Sequence, residues 1–114
     1  MEKIIRKHVN ERMSKIVIHK DTVYLCGQVG VPETPLQDQA KEMLSRVDKL
    51  LEEAGTDKTN LLSATVYLSD IRYFDEFNEI WDAWVTPGTG PARACVEARI
   101  AHPGLFCEVS VTAT

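Results

Sequence analysis

An α+β fold, a sheet of five or six strands carrying two amphipathic helices on one face, is what this chain of 114 residues predicts. Three observations carry it. Segments near both ends alternate apolar and polar residues with period two, two segments between them repeat apolar residues at steps of three and four, and short Gly- and Pro-bearing breaks separate them all. The length suits one domain, residues 1–114, and 44% apolar with 26% charged residues is an ordinary globular composition.

From Ser14 to Gln28, Lys15, Val17 and His19 alternate against Ile16, Ile18 and Lys20, and the pattern resumes at Thr22-Val23-Tyr24-Leu25-Cys26 after Lys20-Asp21. That predicts two short strands joined by a tight turn, with Lys3 to His8 available as a further strand before them. Gly27, Gly30, Pro32 and Pro35 then punctuate a loop leading to a helix start. In Thr34-Pro35-Leu36-Gln37 the Thr hydroxyl can cap, Pro35 fills the first helical position, and Gln37 completes a capping box. Leu36, Ala40, Met43, Val47, Leu50 and Ala54 share one helical stripe, and Gly55 stops it.

A strand follows in which Leu62, Ala64, Val66 and Leu68 alternate with Ser63, Thr65 and Tyr67. Asp70 can cap a second helix, whose Phe74, Phe77, Ile80, Trp81 and Trp84 form an aromatic face before the break at Thr86 to Pro91. Two final strands are predicted, Ala92 to Ile100 and Leu105 to Thr112, separated by the turn His102-Pro103-Gly104. Helices on one face leave the other face, with its own apolar residues, to be covered by self-association.

Composition excludes several classes of function. Thirteen Lys and Arg against 17 Asp and Glu leave a net charge of −4, the wrong sign for affinity built on neutralising phosphates, so nucleic acid is not an expected partner. No apolar run approaches the roughly 18 residues of a membrane span, and Met1-Glu2-Lys3-Ile4 lacks an apolar signal core, which predicts a soluble, cytoplasmic protein without a membrane partner. Cys26, Cys95 and Cys107 are three in number, contain no CxxC pair and read as reduced packing residues. The aromatic helix face reads as core, because Asp75, Glu76, Glu79 and Asp82 interleave it where a base-stacking platform would carry Arg or Lys.

Chemistry-bearing motifs are sparse. His8, His19 and His102 lie apart with no metal-ligand spacing, so no metal site is expected, and there is no GxSxG elbow or dinucleotide fingerprint. Arg93 and Glu108 remain. Alternation puts Arg93 opposite Ala92, Ala94 and Val96, and Glu108 opposite Cys107 and Val109. An inward Arg suits a small carboxylate, since the guanidinium fork holds both oxygens in one plane, and a Glu close by can activate water. The alternative is an ion pair among Arg93, Glu97, Arg99 and Glu108.

Gly90-Pro91-Ala92-Arg93-Ala94-Cys95-Val96-Glu97, followed by Glu108-Val109, resembles the C-terminal signature of the RidA/YjgF family. Val23 to Gln28 is similar to that family's strand ending in Gly-Gln, Ala64 to Asp70 to its central strand, and Phe77-Asn78-Glu79-Ile80-Trp81 to its Asn- and aromatic-bearing helix. The resemblance implies a chorismate-mutase-like (bacillus type) mixed sheet with two helices on one face, and a homotrimer with a pocket at each subunit interface. It also implies cofactor-free hydrolysis of 2-imino acids or enamines to 2-keto acids and ammonia. Arg93 would then bind the substrate carboxylate and Glu108 would position or activate water. Asn78, Cys95 and Gly27 match further pocket positions. The family's pocket Tyr falls on Met13, which can supply only an apolar wall.

Imine chemistry suits these residues, because attack on such a carbon needs water, a proton path and stabilisation of charge on nitrogen. Two other readings compete. A non-catalytic trimer could hold a small carboxylate at Arg93 for regulation, and would tolerate neutralisation of Glu108. An endoribonuclease, an activity attributed to some family members, fits poorly with the acidic balance.

Overall fold

In the computed structural model, which describes residues 2–114, three strands, a helix, a strand, a second helix and two further strands follow one another along the chain. They are β1 (Ile4–Val9), β2 (Ser14–His19), β3 (Thr22–Leu25), α1 (Leu36–Glu53), β4 (Leu61–Leu68), α2 (Phe74–Trp84), β5 (Ala92–Glu97) and β6 (Cys107–Ala113). The strand expected at Lys3 to His8 is β1, which pairs with β2. Strand order is β1-β2-β3-β6-β4-β5. Only the β4–β5 pair is parallel, as the α2 crossover between them permits.

One sheet face carries the core. Ile16, Val23, Leu25, Ala64, Val66, Leu68, Cys107, Val109 and Val111 are buried there, and the register aligns them across strands: Ile16 with Leu25, Ala64 with Val111, Val66 with Val109, Leu68 with Cys107. Against this face α1 buries Leu36, Ala40, Met43, Leu44, Val47, Leu50 and Leu51, and α2 buries Phe77 and Trp81. The predicted stripes account for most of these, with Leu44 and Leu51 widening the first. Phe74, expected in the aromatic face, is exposed.

Three details differ from the sequence reading. The predicted extension of β5 to Ile100 is absent because β4, its pairing partner, ends at Leu68, which pairs with Glu97. Residues 98–106 instead turn back through hydrogen bonds from Leu105 N–H to His102 O (3.0 Å) and from Gly104 N–H to His102 Nδ1 (2.9 Å), so β6 starts at Cys107. Asp70 does cap, but it caps the 3-10 turn Ile71–Tyr73 that feeds α2, accepting from Arg72 N–H.

The third difference concerns the start of α1. Pro35 is the N-cap, and the Thr34 hydroxyl donates to Val31 O (2.8 Å) without capping the helix. Gln39 does the tying: fully buried, its amide N–H groups donate to Thr34 O (2.9 Å) and Gly104 O (2.8 Å), and its Oε1 accepts from Phe106 N–H (2.8 Å). A polar side chain can sit at zero exposure because all these bonds are made. Gly104 N–H and C=O are thus both engaged, and the strand-leading segment before β6 is fastened to α1.

The second face has no helix on it. Val17, Tyr24, Thr65, Tyr67, Ala94, Val96, Glu108, Ser110 and Thr112 share it by register, and Tyr24 and Val96 stand 47% and 43% exposed. The result is a slab of 45 × 37 × 20 Å with one open broad face. Among the described residues, no helix is long and apolar enough to cross a membrane.

Candidate functional site

The candidate residues fall into two groups on opposite faces of the sheet. Parallel pairing of Ala64 with Arg93 and of Val66 with Cys95 puts Arg93 and Cys95 on the helix-covered face, at the edge strand beside α2. Pairing of Tyr67 with Glu108 puts Glu108 on the open face, with β4 lying between the two strands that carry the pair. Within one chain, therefore, Arg93 and Glu108 do not meet, and the expectation of a nearby Glu is not met in a single copy. Nor does any ion pair link Arg93, Glu97, Arg99 or Glu108 among the described residues, whose bridges are His8–Glu53, Arg46–Glu42 and Arg72–Asp70.

Around Arg93, the guanidinium carbon lies 4.9 Å from the centroid of the Trp81 ring, a cation–π stack. Its Nη1 is buried without a hydrogen-bond partner, and so is Asn78 Oδ1, one turn before Trp81 on α2. Leaving a buried donor or acceptor unmade costs about 1–3 kcal/mol, so each is a place where a ligand or neighbouring copy gains by binding. Cys95, two residues beyond Arg93 on the same face, is half-buried, and burial pushes its thiol up against the opposing pull of the Arg93 charge.

Around Glu108, the chain leaving β3 crosses close. Gln28 and Val109 exchange both backbone hydrogen bonds (2.8 and 3.0 Å), which brings Gly27 against the Glu108 side chain. A Cβ at Gly27 would collide with Glu108 Oε2 and lie 3.1 Å from Cδ, so glycine is what lets the carboxylate rest on this backbone. Cys26 N–H donates to Lys15 O (3.0 Å), so this crossing runs alongside the start of β2, which Met13 immediately precedes. Met13 is 39% exposed and is held in a tight turn through Asn10.

Glu108 also lines a cavity of about 260 Å³ with Tyr67, Arg99 and Ser110. A larger hollow of about 450 Å³ runs along residues 97–105 and holds none of the six candidates, so size alone does not mark the site.

Two participants were not assigned to the site by sequence reasoning. Trp81, expected in the core, is there at 5% exposure, but one ring face also carries Arg93. Cys26, expected as a packing residue, sits half-buried beside Glu108 and Lys15 with the Gln28 amide donating to its sulfur (3.2 Å). Burial raises its thiol, more than Lys15 lowers it. Cys107 alone is full core, its thiol pushed up to about 12 by burial.

The family model described as Endoribonuclease L-PSP matches residues 6–114. A RutC family protein of Haemophilus ducreyi is 40% identical over 111 residues, covering 96% of this chain and 95% of that protein. The crystal structure of a YjgF family member from Neisseria meningitidis superposes with a TM-score of 0.96 at 37% identity, covering 99% of this chain and 95% of that one. The chain belongs to the RidA/YjgF family. The mixed α+β sheet implied by the sequence resemblance is the one present, and the match begins inside β1 and runs through β6. Another family member, from Rattus norvegicus, is 30% identical, covers 99% of this chain and 93% of its own length, and is named 2-iminobutanoate/2-iminopropanoate deaminase.

Proposed function

We propose that this family member is a cofactor-independent deaminase of 2-imino acids or enamines, acting at pockets completed between subunits of a homotrimer. The observation that carries the reading is the unpaired, buried Nη1 of Arg93 on its aromatic support, a ready binding point for a small carboxylate. The opposite-face placement of Glu108 supports an interfacial site, since a second copy set against the β5 edge can bring its own Glu108 to Arg93 where a single chain cannot. The name of the rat relative supports the substrate class.

In this reading Arg93 holds the carboxylate of the substrate, and the adjacent C=N carbon faces water held at Glu108 of a neighbouring subunit. Water oxygen bonds to that carbon as Glu108 accepts a water proton, and the C=N π pair takes a proton at nitrogen. The carbinolamine nitrogen then takes the proton held on Glu108, the O–H proton passes back to that carboxylate as the C=O bond forms, and the C–N bond breaks with its electron pair leaving on ammonia, which gives the 2-keto acid. An enamine enters the same route after its carbon takes a proton. Orientation supplies most of the acceleration, because the carboxylate anchor turns a chance encounter into a fixed approach.

The test is a coupled assay in which an amino-acid oxidase generates imino acids from a panel of amino acids, followed by loss of trapped imine. Accelerated loss for some members of the panel, with Glu108→Gln lowering kcat more than it raises KM, is the expected result. A flat response across the panel favours the alternative of a carboxylate-binding regulatory trimer. Light scattering should give three times the monomer mass, and a monomer stable to dilution overturns the interfacial pocket. For the endoribonuclease reading, the net charge of −4 is adverse.

A further inference from the structure

Arginine guanidinium groups are planar, and which carboxylate they can clasp depends on the plane in which they are held. On the strand that carries it, Arg93 has a free outer edge, because β5 is the last strand of the sheet. Its side chain therefore lacks a strand neighbour on one side to fix it. What lies under it is the Trp81 ring, at 4.9 Å. That ring is itself braced: Trp84 packs against it in a tilted arrangement with centroids 5.2 Å apart, and Trp84 Nε1–H donates to Asp48 Oδ2 of α1 (3.0 Å).

We infer that Trp81 is a positioning residue, whose indole face, braced by Trp84 and Asp48, sets the plane in which Arg93 presents its fork to a substrate carboxylate. The inference rests on the proposed role of Arg93 and extends it to residues that touch no substrate. Bulk alone would fill this part of the core, whereas only an aromatic ring offers the guanidinium an electron-rich face, so the contact with Arg93 gives the aromatic character of Trp81 a use beyond packing. The same contact stabilises the cation where it is partly buried while Nη1 stays unpaired, which leaves that donor for the ligand.

The experiment compares the parent, Trp81→Leu and Trp81→Phe by imine turnover and by calorimetric titration with 2-oxobutanoate and with its methyl ester, which lacks the charge. Trp81→Leu is expected to weaken 2-oxobutanoate about tenfold and to leave the weak ester binding unchanged, with Trp81→Phe recovering to within about threefold of the parent. Equal loss for acid and ester, or no recovery with Phe, means that Trp81 is only structural and overturns the inference. A parent that turns over imines but whose Trp81→Leu variant matches it does the same while leaving the deaminase reading intact. A parent that neither turns over imines nor binds 2-oxobutanoate overturns both. Should Trp81→Leu fail to fold, the parent decides: the Arg93 Cδ protons are expected upfield from the indole ring current and to remain so with 2-oxobutanoate bound. Shifts at the ordinary arginine position refute the stack.

Discussion

Replacing Gly27 by alanine tests whether the Glu108 carboxylate works where it rests. The new Cβ would stand 3.1 Å from Glu108 Cδ and overlap Oε2 outright. Relief comes by moving the side chain, because the obstacle is the far end of a flexible carboxylate, and restoring van der Waals separation shifts that oxygen by about 1 Å or more. A misplacement of about 1 Å at a reacting group can cost roughly 100-fold, so kcat for imine hydrolysis should fall on that order while the melting temperature stays near the parent's. Gly30→Ala is the contrasting control. Its Cβ would lie 2.6 Å from Gln39 Cα and 2.9 Å from the Gln39 carbonyl carbon, backbone atoms that cannot swing away, so that variant should lose stability instead. The assay is initial rate in the oxidase-coupled system beside thermal unfolding of each variant. Combining Gly27→Ala with Glu108→Gln should add little to either alone, since both act through one group. Parent-level turnover in Gly27→Ala would refute the argument that this carboxylate handles the attacking water.

Arg93→Lys keeps the charge and loses the fork, and kcat/KM should fall about 10- to 100-fold at unchanged assembly mass, measured by steady-state kinetics with light scattering. Gln39→Leu strips Phe106 N–H and Thr34 O of the Gln39 amide and leaves Gly104 O with Glu33 N–H alone, and should destabilise the fold by about 3 kcal/mol in chemical denaturation. Met13→Tyr should raise turnover on imines of alanine and 2-aminobutyrate if the missing hydroxyl is what limits rate; loss confined to imines of leucine and methionine would show instead that Met13 provides room. Asp70 is held down to about 2 by the Arg72 side chain, below its ordinary 3.8. Because the folded value is depressed, the capping contact contributes its stability above about pH 4 and loses it as pH falls towards about 2, and a carboxyl ¹³C titration of Asp70 with its midpoint near 2 checks it.

Period-two alternation made the faces of the strands legible, including the opposite orientation of Arg93 relative to Ala92 and Ala94, because a side chain's face follows from parity alone. Strand neighbours were not legible in that way. Nothing in Ala92 to Glu97 announces a parallel partner in β4, and nothing in Cys107 to Ala113 announces insertion between β3 and β4. Hence Arg93 and Glu108, close in sequence pattern, could be read as close in space. The Gln39 clamp did leave a signal. Gln39 stands three residues after Leu36 and four before Met43, on the apolar stripe itself, and a polar residue there has to find partners. The Trp81 support left none, since the spacing that puts an aromatic ring in a core says nothing of what lies over its other face.

The proposed interfacial pocket, with Arg93 on one sheet face and Glu108 on the other, has a genetic consequence. In an assembly where each pocket borrows one half from each of two neighbours, a subunit with a damaged Arg93 still lends a sound Glu108, and the reverse holds for its counterpart. Two inactive alleles mixed in equal amounts would therefore rebuild about a quarter of the pockets with both halves intact. Complementation between two defects, ordinarily taken as a sign of two genes, would arise here within one.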